Sequence, residues 1–368
     1  MDDKCYWIGF NLVKGIGSVR MSSLLAYFDS VADAWNAPLE KLQEAGLSRK
    51  IAELVVRIRA DVDIEALRQK IVDQGVNILT WDDESYPPSL KEIEQPPPVI
   101  FVRGELTIDD QFAVAIVGTR RATPYGRQIA EELAAFLAGQ GITVVSGLAR
   151  GVDAIAHSSA LRAGGRTICV LGSGVDRIYP PEHSQMAEKI AQHGAILSDY
   201  PMGTGPDATN FPPRNRIISG LSMATVVVEA GETSGALITA GFAAEQGREV
   251  FAVPGNIIAP QSKGTNKLIQ QGAQPLLTPQ DLLQALNLTR AGEMKAARRA
   301  IPTDTIEARL LSELGAEPLH VDEIRIKTGL PIEKVSATLA IMELKGMVRQ
   351  VGGMNYVSVR EEQADYDA

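Results

Sequence analysis

Cysteine is nearly absent: Cys5 and Cys169 are the only two in 368 residues, and they stand far apart. That excludes a disulfide framework and any paired-cysteine metal or redox motif, and it suits a reducing compartment. Long apolar runs are missing as well. No stretch approaches the roughly 18 apolar residues of a membrane-spanning helix. The start, Met1-Asp2-Asp3, is acidic, so a secretory signal is not expected and a cytoplasmic protein is. Histidine is scarce, and His157, His183, His193 and His320 show no metal-ligand spacing, so no metal is expected. Two nucleotide signatures are also lacking. There is no Gly-x4-Gly-Lys-Ser/Thr, and no Gly-x-Gly-x-x-Gly follows the first strand of the sheet. ATP hydrolysis and hydride transfer are therefore poor readings, and no cofactor is expected.

What is present points to a polyanion ligand. Hydrophobic residues make up 45%, enough for a large core, and the length suits more than one domain. The net charge of −9 argues at first against nucleic acid. The distribution softens that argument, because phosphate affinity follows the local field rather than the total. Residues 113–130 hold Arg120, Arg121 and Arg127 with no acid, and residues 250–280 hold Lys263 and Lys267 with no acid. Above all, Asn210-Phe-Pro-Pro-Arg-Asn-Arg216 sits in a carboxylate-free stretch from Ala208 to Val228. Arginine offers paired donors to phosphate, and phenylalanine offers a face to a base. The plainer alternative is a helix entry whose arginines pair with local carboxylates.

Periodicity divides the chain. Residues 1–80 read as a helical domain, with apolar residues at helical spacing in Met21–Phe28, Val31–Trp35 and Ile51–Ile58. Leu12–Arg20 contains Gly15-Ile-Gly17 and resembles a helix-hairpin-helix turn that holds one phosphate; a plain connecting turn is the equal alternative. Residues 81–98 form a proline-rich, acidic connector. From Val99 short apolar strands alternate with helices. The strands are expected at Val99–Val102, Ala113–Val117, Thr143–Ser146, Thr167–Leu171, Ala195–Ser198, Ala224–Glu229 and Glu249–Val253. Residues 99–287 therefore read as a doubly wound, Rossmann-like sheet. Residues 288–300 read as a basic linker, and residues 301–360 as a winged helix with three helices and a hairpin. That tail is acidic, so DNA reading by it is not the favoured expectation.

The strands end in glycine-rich turns: Gly118-Thr-Arg120-Arg121, Gly147-Leu-Ala-Arg-Gly151 and Gly172-Ser-Gly174. Glycine there lets backbone N–H groups approach a phosphate, so Gly118, Gly147 and Gly174 are candidate contacts. Arg120 and Arg214 are expected on loops at this ligand-binding edge, outside the core. Catalytic candidates are thin. Asp153 and His157 share a helical face and read as a structural Asp–His hydrogen bond rather than an acid–base pair. Glu229 and Glu232 flank a turn before Ser234-Gly235 and read as caps for the next helix rather than as glycosidic acid–base groups. No catalytic residue is assigned.

These motifs together resemble the DNA-processing protein A (DprA or Smf) family. The residues that carry the resemblance run in order: Ala115–Arg120, Ser146–His157, Leu171–Gly174, Tyr179-Pro180, Phe211–Gly220, Ser234–Ala240, Val253–Gly255 and Gly264–Asn266. The resemblance implies an extended Rossmann-like α/β fold with an N-terminal helical (SAM or helix-hairpin-helix-like) domain and a C-terminal winged helix. It implies a non-enzymatic homodimer that binds single-stranded DNA and hands it to a RecA-type recombinase during natural transformation. Single-strand-binding protein is a further candidate partner. By motif, the family's phosphate-binding arginine falls on Arg120, and its Arg-Asn-Arg element falls on Arg214, Asn215 and Arg216. The family's lysine after Tyr-Pro is replaced here by Pro181-Glu182, which leaves that contact missing or supplied from elsewhere, with Lys263 a candidate. Two other functions fit the sequence less well. A phosphoribohydrolase would carry Pro-Gly-Gly-x-Gly-Thr-x-x-Glu, and the nearest text, Pro254-Gly255-Asn256, lacks the second glycine and the glutamate. A winged-helix transcription regulator would need sequence-specific duplex binding by the tail.

Overall fold

The structure is a computed structural model that describes residues 2–286, 305–315, 318–344, 348–351 and 353–358. It divides into two compact units, Met1–Leu288 and Thr289–Ala368. The linker expected over residues 288–300 lies outside the described residues.

The first unit opens with six helices: α1 (Lys4–Leu12), α2 (Ser18–Tyr27), α3 (Val31–Asn36), α4 (Leu39–Glu44), α5 (Arg49–Asp61) and α6 (Ile64–Asp73). The expected helical segment then ends earlier than residue 80, because Val76–Thr80 forms strand β1. Its burial alternates, as a half-buried edge strand requires. β1 pairs antiparallel with β2 (Val99–Gly104), so the helical region is joined to the sheet by a hydrogen-bonded ladder.

The connector between these strands is also folded rather than open. Tyr86, Leu90 and Ile93 recur at helical spacing among its prolines and acids, and all three are buried. Pro88–Lys91 forms the short helix α7, and the Tyr86 hydroxyl donates to the Pro97 carbonyl at 2.8 Å.

The strands and helices that follow are β3 (Ala113–Val117), α8 (Pro124–Gly139), β4 (Thr143–Ser146), α9 (Val152–Arg162), β5 (Thr167–Val170), α10 (Ser184–His193) and β6 (Ala195–Ser198). Then come α11 (Phe211–Gly220), β7 (Ala224–Val227), α12 (Ala236–Glu245), β8 (Glu249–Ala252), α13 (Lys263–Gln270), β9 (Gln274–Pro275) and α14 (Pro279–Ala285). The sheet order is β1-β2-β6-β5-β4-β3-β7-β8-β9. From β6 to β9 every neighbour is parallel, whereas β2 runs antiparallel to β6. The expected doubly wound sheet is present, extended at one edge by an antiparallel pair. Both faces are buried: in β2, Val99 and Phe101 join one apolar cluster while Ile100 and Val102 join the other.

The chain winds outward from β3 through β4, β5 and β6, then returns to β3's other side to form β7. The loops after β3 and β7 therefore leave the sheet toward opposite faces, and a crevice opens between them. In open α/β sheets such a reversal at the carboxyl ends of the strands is where ligands sit.

The second unit holds α15 (Thr305–Glu313), β10 (Leu319–His320), α16 (Val321–Thr328), α17 (Ile332–Leu344), β11 (Val348–Gln350) and β12 (Asn355–Ser358). The three strands form a small antiparallel sheet in the order β10-β12-β11. Leu310, Ile324, Val335, Leu339, Met342 and Tyr356 are among the residues of its own core.

Candidate nucleic-acid interface

A cleft of about 730 Å³ occupies the crevice. It is lined by the loop after β3 (Gly118–Arg121), the start of α11, the loop after β7 and the N-terminus of α12. Arg120 and Arg121 are exposed at its mouth. Neither makes a salt bridge among the described residues. The loop that carries them is held from behind. Thr119 N–H donates to the Glu229 carbonyl at 2.7 Å, and Val152 N–H donates to the Thr119 carbonyl at 3.2 Å. Gly151, at φ +78, lies against this loop so tightly that an added Cβ would stand 2.7 Å from the Arg120 carbonyl carbon. Only glycine meets both conditions at once.

Phe211 is the aromatic centre. Its ring lies 5.8 Å from the Tyr179 ring at an interplanar angle of 35°, and the guanidinium groups of Arg120 and Arg214 each stand 5.8 Å from its centroid. Gly172 leaves room for it, since a Cβ there would come within 2.9 Å of Phe211 Cδ1.

Arg214 and Arg216 turn in opposite directions, and of the two Arg214 lines the cleft. Both lie on α11, although Arg214 was expected on a loop, because Pro212 and Pro213 occupy the first turn, where proline costs no helical hydrogen bond. Arg214 is 5% exposed, against the expectation that it lies outside the core. Its Nη1 donates to the carbonyls of Gly147, at 3.0 Å, and of Val170. These mark the ends of β4 and β5. Burial lowers its pKa from the ordinary guanidinium value, and the nearby Asp153 opposes the shift. Arg216 turns the other way. It donates to Asp199 Oδ2 at 2.9 Å and to the Gln95 carbonyl at 3.1 Å, which ties α11 to the end of β6 and to the connector. Asn215 lies between them and lines the cleft, with Nδ2 donating to the Gly235 carbonyl at 3.3 Å. Lys263 begins α13, exposed beside the lip, 3.8 Å from Glu232.

The glycine amides behave differently from expectation. Gly147 N–H donates to Asp153 Oδ2 at 3.2 Å, and Gly174 N–H donates to the Thr204 carbonyl at 2.9 Å, so neither is free for phosphate. The small size of these residues serves packing instead. A Cβ at Gly147 would stand 2.7 Å from the Arg214 guanidinium, and one at Gly174 would stand 2.8 Å from the Pro201 carbonyl. Gly118 does line the cleft, backed by Val152.

The expected Asp153–His157 bond is absent. His157 Nδ1 lies 2.7 Å from Thr167 Oγ1, whose hydroxyl is committed to the Val144 carbonyl, so Nδ1 carries the proton. Burial drives the His157 pKa down to about 3, which keeps the ring neutral. Asp153 is raised by burial and held in check by Arg214 and by backbone N–H donors. Glu229 does support a helix start, but that of α8 rather than of the next helix, α12. It accepts from Thr123 N–H at 2.9 Å and Thr123 Oγ1 at 2.5 Å, where α8 begins.

Residues 77–287 match the family model for DNA recombination-mediator protein A, and residues 294–354 match the DprA winged helix domain. A Synechocystis Smf protein is 37% identical over 96% of this chain and 98% of its own length. The chain belongs to the DNA recombination-mediator protein A (DprA) family. The Bacillus subtilis DNA processing protein DprA is 45% identical over 58% of this chain and 72% of its own. The Streptococcus pneumoniae DprA structure superposes with a TM-score of 0.68 at 32% identity, covering 77% of this chain and 97% of that one. The DNA processing protein A of Helicobacter pylori, whose structure was described for its single-stranded DNA binding mode, matches with a TM-score of 0.52 at 34% identity, over 57% of this chain and 95% of that one.

Within the DprA framework one cation had no sequence-level role. Arg150 stands in a recess with Arg120, Tyr179 and Phe211, at the place where Pro181-Glu182 follows Tyr179-Pro180. Its position was hidden because the loop after β4 and the turn after Tyr179 meet only in three dimensions. Lys263 lies elsewhere, at the start of α13 beside Glu232 of the loop after β7.

Proposed function

We propose that this chain binds single-stranded DNA in the cleft, without chemical turnover, and delivers it to a RecA-type recombinase during natural transformation. The carrying observation is the switch-point cleft, where exposed Arg120 and Arg121 line the mouth, Arg120 standing over Phe211, at the N-terminal ends of α11 and α12. Guanidinium groups and helix N-termini favour phosphates, and an aromatic ring tolerates any base. Gly118, Asn215 and Lys263 belong to this surface in the same reading, while Gly147, Gly174, Arg214 and Arg216 support its shape. The family membership and the H. pylori relative point the same way. The potential acid–base groups are otherwise committed: Glu229 to Thr123, Asp153 to backbone amides, and His157 to Thr167. That supports holding phosphate rather than processing it. A homodimer acting in the cytoplasm completes the reading, because two clefts would hold one strand at two points. Among the described residues no helix is long and apolar enough to cross a membrane.

The deciding experiment is fluorescence anisotropy with single- and double-stranded oligomers of one sequence over a range of salt. Tighter single-strand binding, falling steeply with salt, is expected. Equal or tighter duplex binding at moderate salt would overturn it. Delivery is read by strand exchange on DNA pre-coated with single-strand-binding protein; no stimulation by the chain would reject that step.

A further inference from the structure

Arg150 is presented by two loops that are clamped together. Leu148 adopts the left-handed backbone at φ 59, uncommon for a residue with a side chain, while its side chain is fully buried. Its carbonyl accepts from His183 Nδ1 at 2.8 Å. That bond fixes the turn Pro181–His183 against the loop after β4. Across the junction Arg150 Nε meets Glu182 Oε1 at 2.6 Å, and both side chains are about half exposed, 56% and 50%. So exposed a pair adds little to folding. Its hydrogen bond raises the Arg150 pKa and lowers that of Glu182. The carboxylate engages Nε. Arg150 also shares its recess with Arg120, Tyr179 and Phe211. Two guanidinium groups beside one aromatic pair suit consecutive phosphates with a base between them.

We propose that Arg150 is a second strand-phosphate contact beside Arg120, and that Glu182 acts as its brake, orienting the guanidinium while offsetting part of its charge. This rests on the single-strand reading and assigns to that site a residue that tunes its strength. A strand phosphate competes with Glu182 for Arg150, so removing the Glu182 charge tightens binding.

The test uses the full chain, a labelled oligothymidylate and anisotropy at several salt concentrations. Arg150→Ala weakens binding about tenfold or more. It also lowers the salt slope by about 0.7, the value of one single-strand phosphate contact. Glu182→Gln tightens binding several-fold, and the double variant binds like Arg150→Ala. Asp61→Asn, an equal charge change on α5, which contributes nothing to the cleft, leaves binding unchanged. Wild type that binds while Arg150→Ala keeps its affinity and slope overturns the inference alone. So does Glu182→Gln that weakens binding, a double variant that still tightens, or Asp61→Asn that tightens as much as Glu182→Gln. Wild type that fails to bind overturns both this inference and the reading beneath it.

Discussion

Arginines that look equivalent in the chain differ most in what surrounds them. Arg120 is exposed with its guanidinium over an aromatic ring, whereas Arg214 is enclosed and holds two strand ends together. Arg120→Ala is expected to stay within about 0.5 kcal/mol of wild-type stability. It should lose about 1.5–3 kcal/mol of single-strand affinity. Arg214→Ala should cost about 3–5 kcal/mol of stability, because two buried carbonyls lose their donor and buried Asp153 loses the nearby positive charge. Denaturant titrations beside binding curves separate the two outcomes, and an Arg214→Ala protein that melts as wild type would contradict the buried assignment. His157 gives a second residue-scale prediction. Its folded pKa, about 3, lies below its unfolded value near 6.5, so the unfolded chain takes up the proton first. Its contribution is complete above pH 6.5 and is lost as pH falls from there toward 3, by at most about 1.4 kcal/mol per pH unit. Comparing wild type with His157→Gln over that range isolates the slope; identical slopes would show that the ring is not kept neutral.

At the level of elements, α11 shows what a sequence conceals. Pro212-Pro213 opens this helix, since prolines in a first turn start a helix rather than end one. Once helical, three consecutive residues face three directions: Arg214 into the sheet, Asn215 into the cleft, Arg216 toward Asp199. The parallel strands were legible because each is a short apolar run between helical periods. The cleft was legible because glycine and arginine cluster at the strand ends. The direction of each arginine was not, since it depends on partners such as Val170 and Asp199 that lie far off in the chain. β1 was missed because five residues at the end of a helical region leave too short a period to read. Glu229 illustrates the same limit, as it caps α8 from over a hundred residues away. Replacing it by glutamine should cost about 1–2 kcal/mol of stability, the worth of a helix cap. Single-strand binding should persist. Nucleoside monophosphate turnover abolished by this change would instead make Glu229 a catalytic residue.

For the molecule as a whole, the two units have separate cores, with Leu310, Leu339 and Tyr356 belonging only to the second. The helix that reads DNA in many winged helices, here α17, carries Lys334 as its one cation in Ile332–Leu344. A chain ending at Leu288 should therefore fold and keep most of its single-strand affinity, with one melting transition. Loss of most affinity at unchanged stability would move the site to the second unit. The antiparallel pair β1–β2 has its own consequence. β2 covers β6, whose four residues are all buried. A chain shortened to begin beyond Gly104 would bare that flat, uncharged strand along its whole hydrogen-bonding edge. Such an edge is a template for pairing with another molecule's strand. The β1–β2 pair therefore keeps β6 from pairing between molecules, and aggregation would be the first cost of losing it.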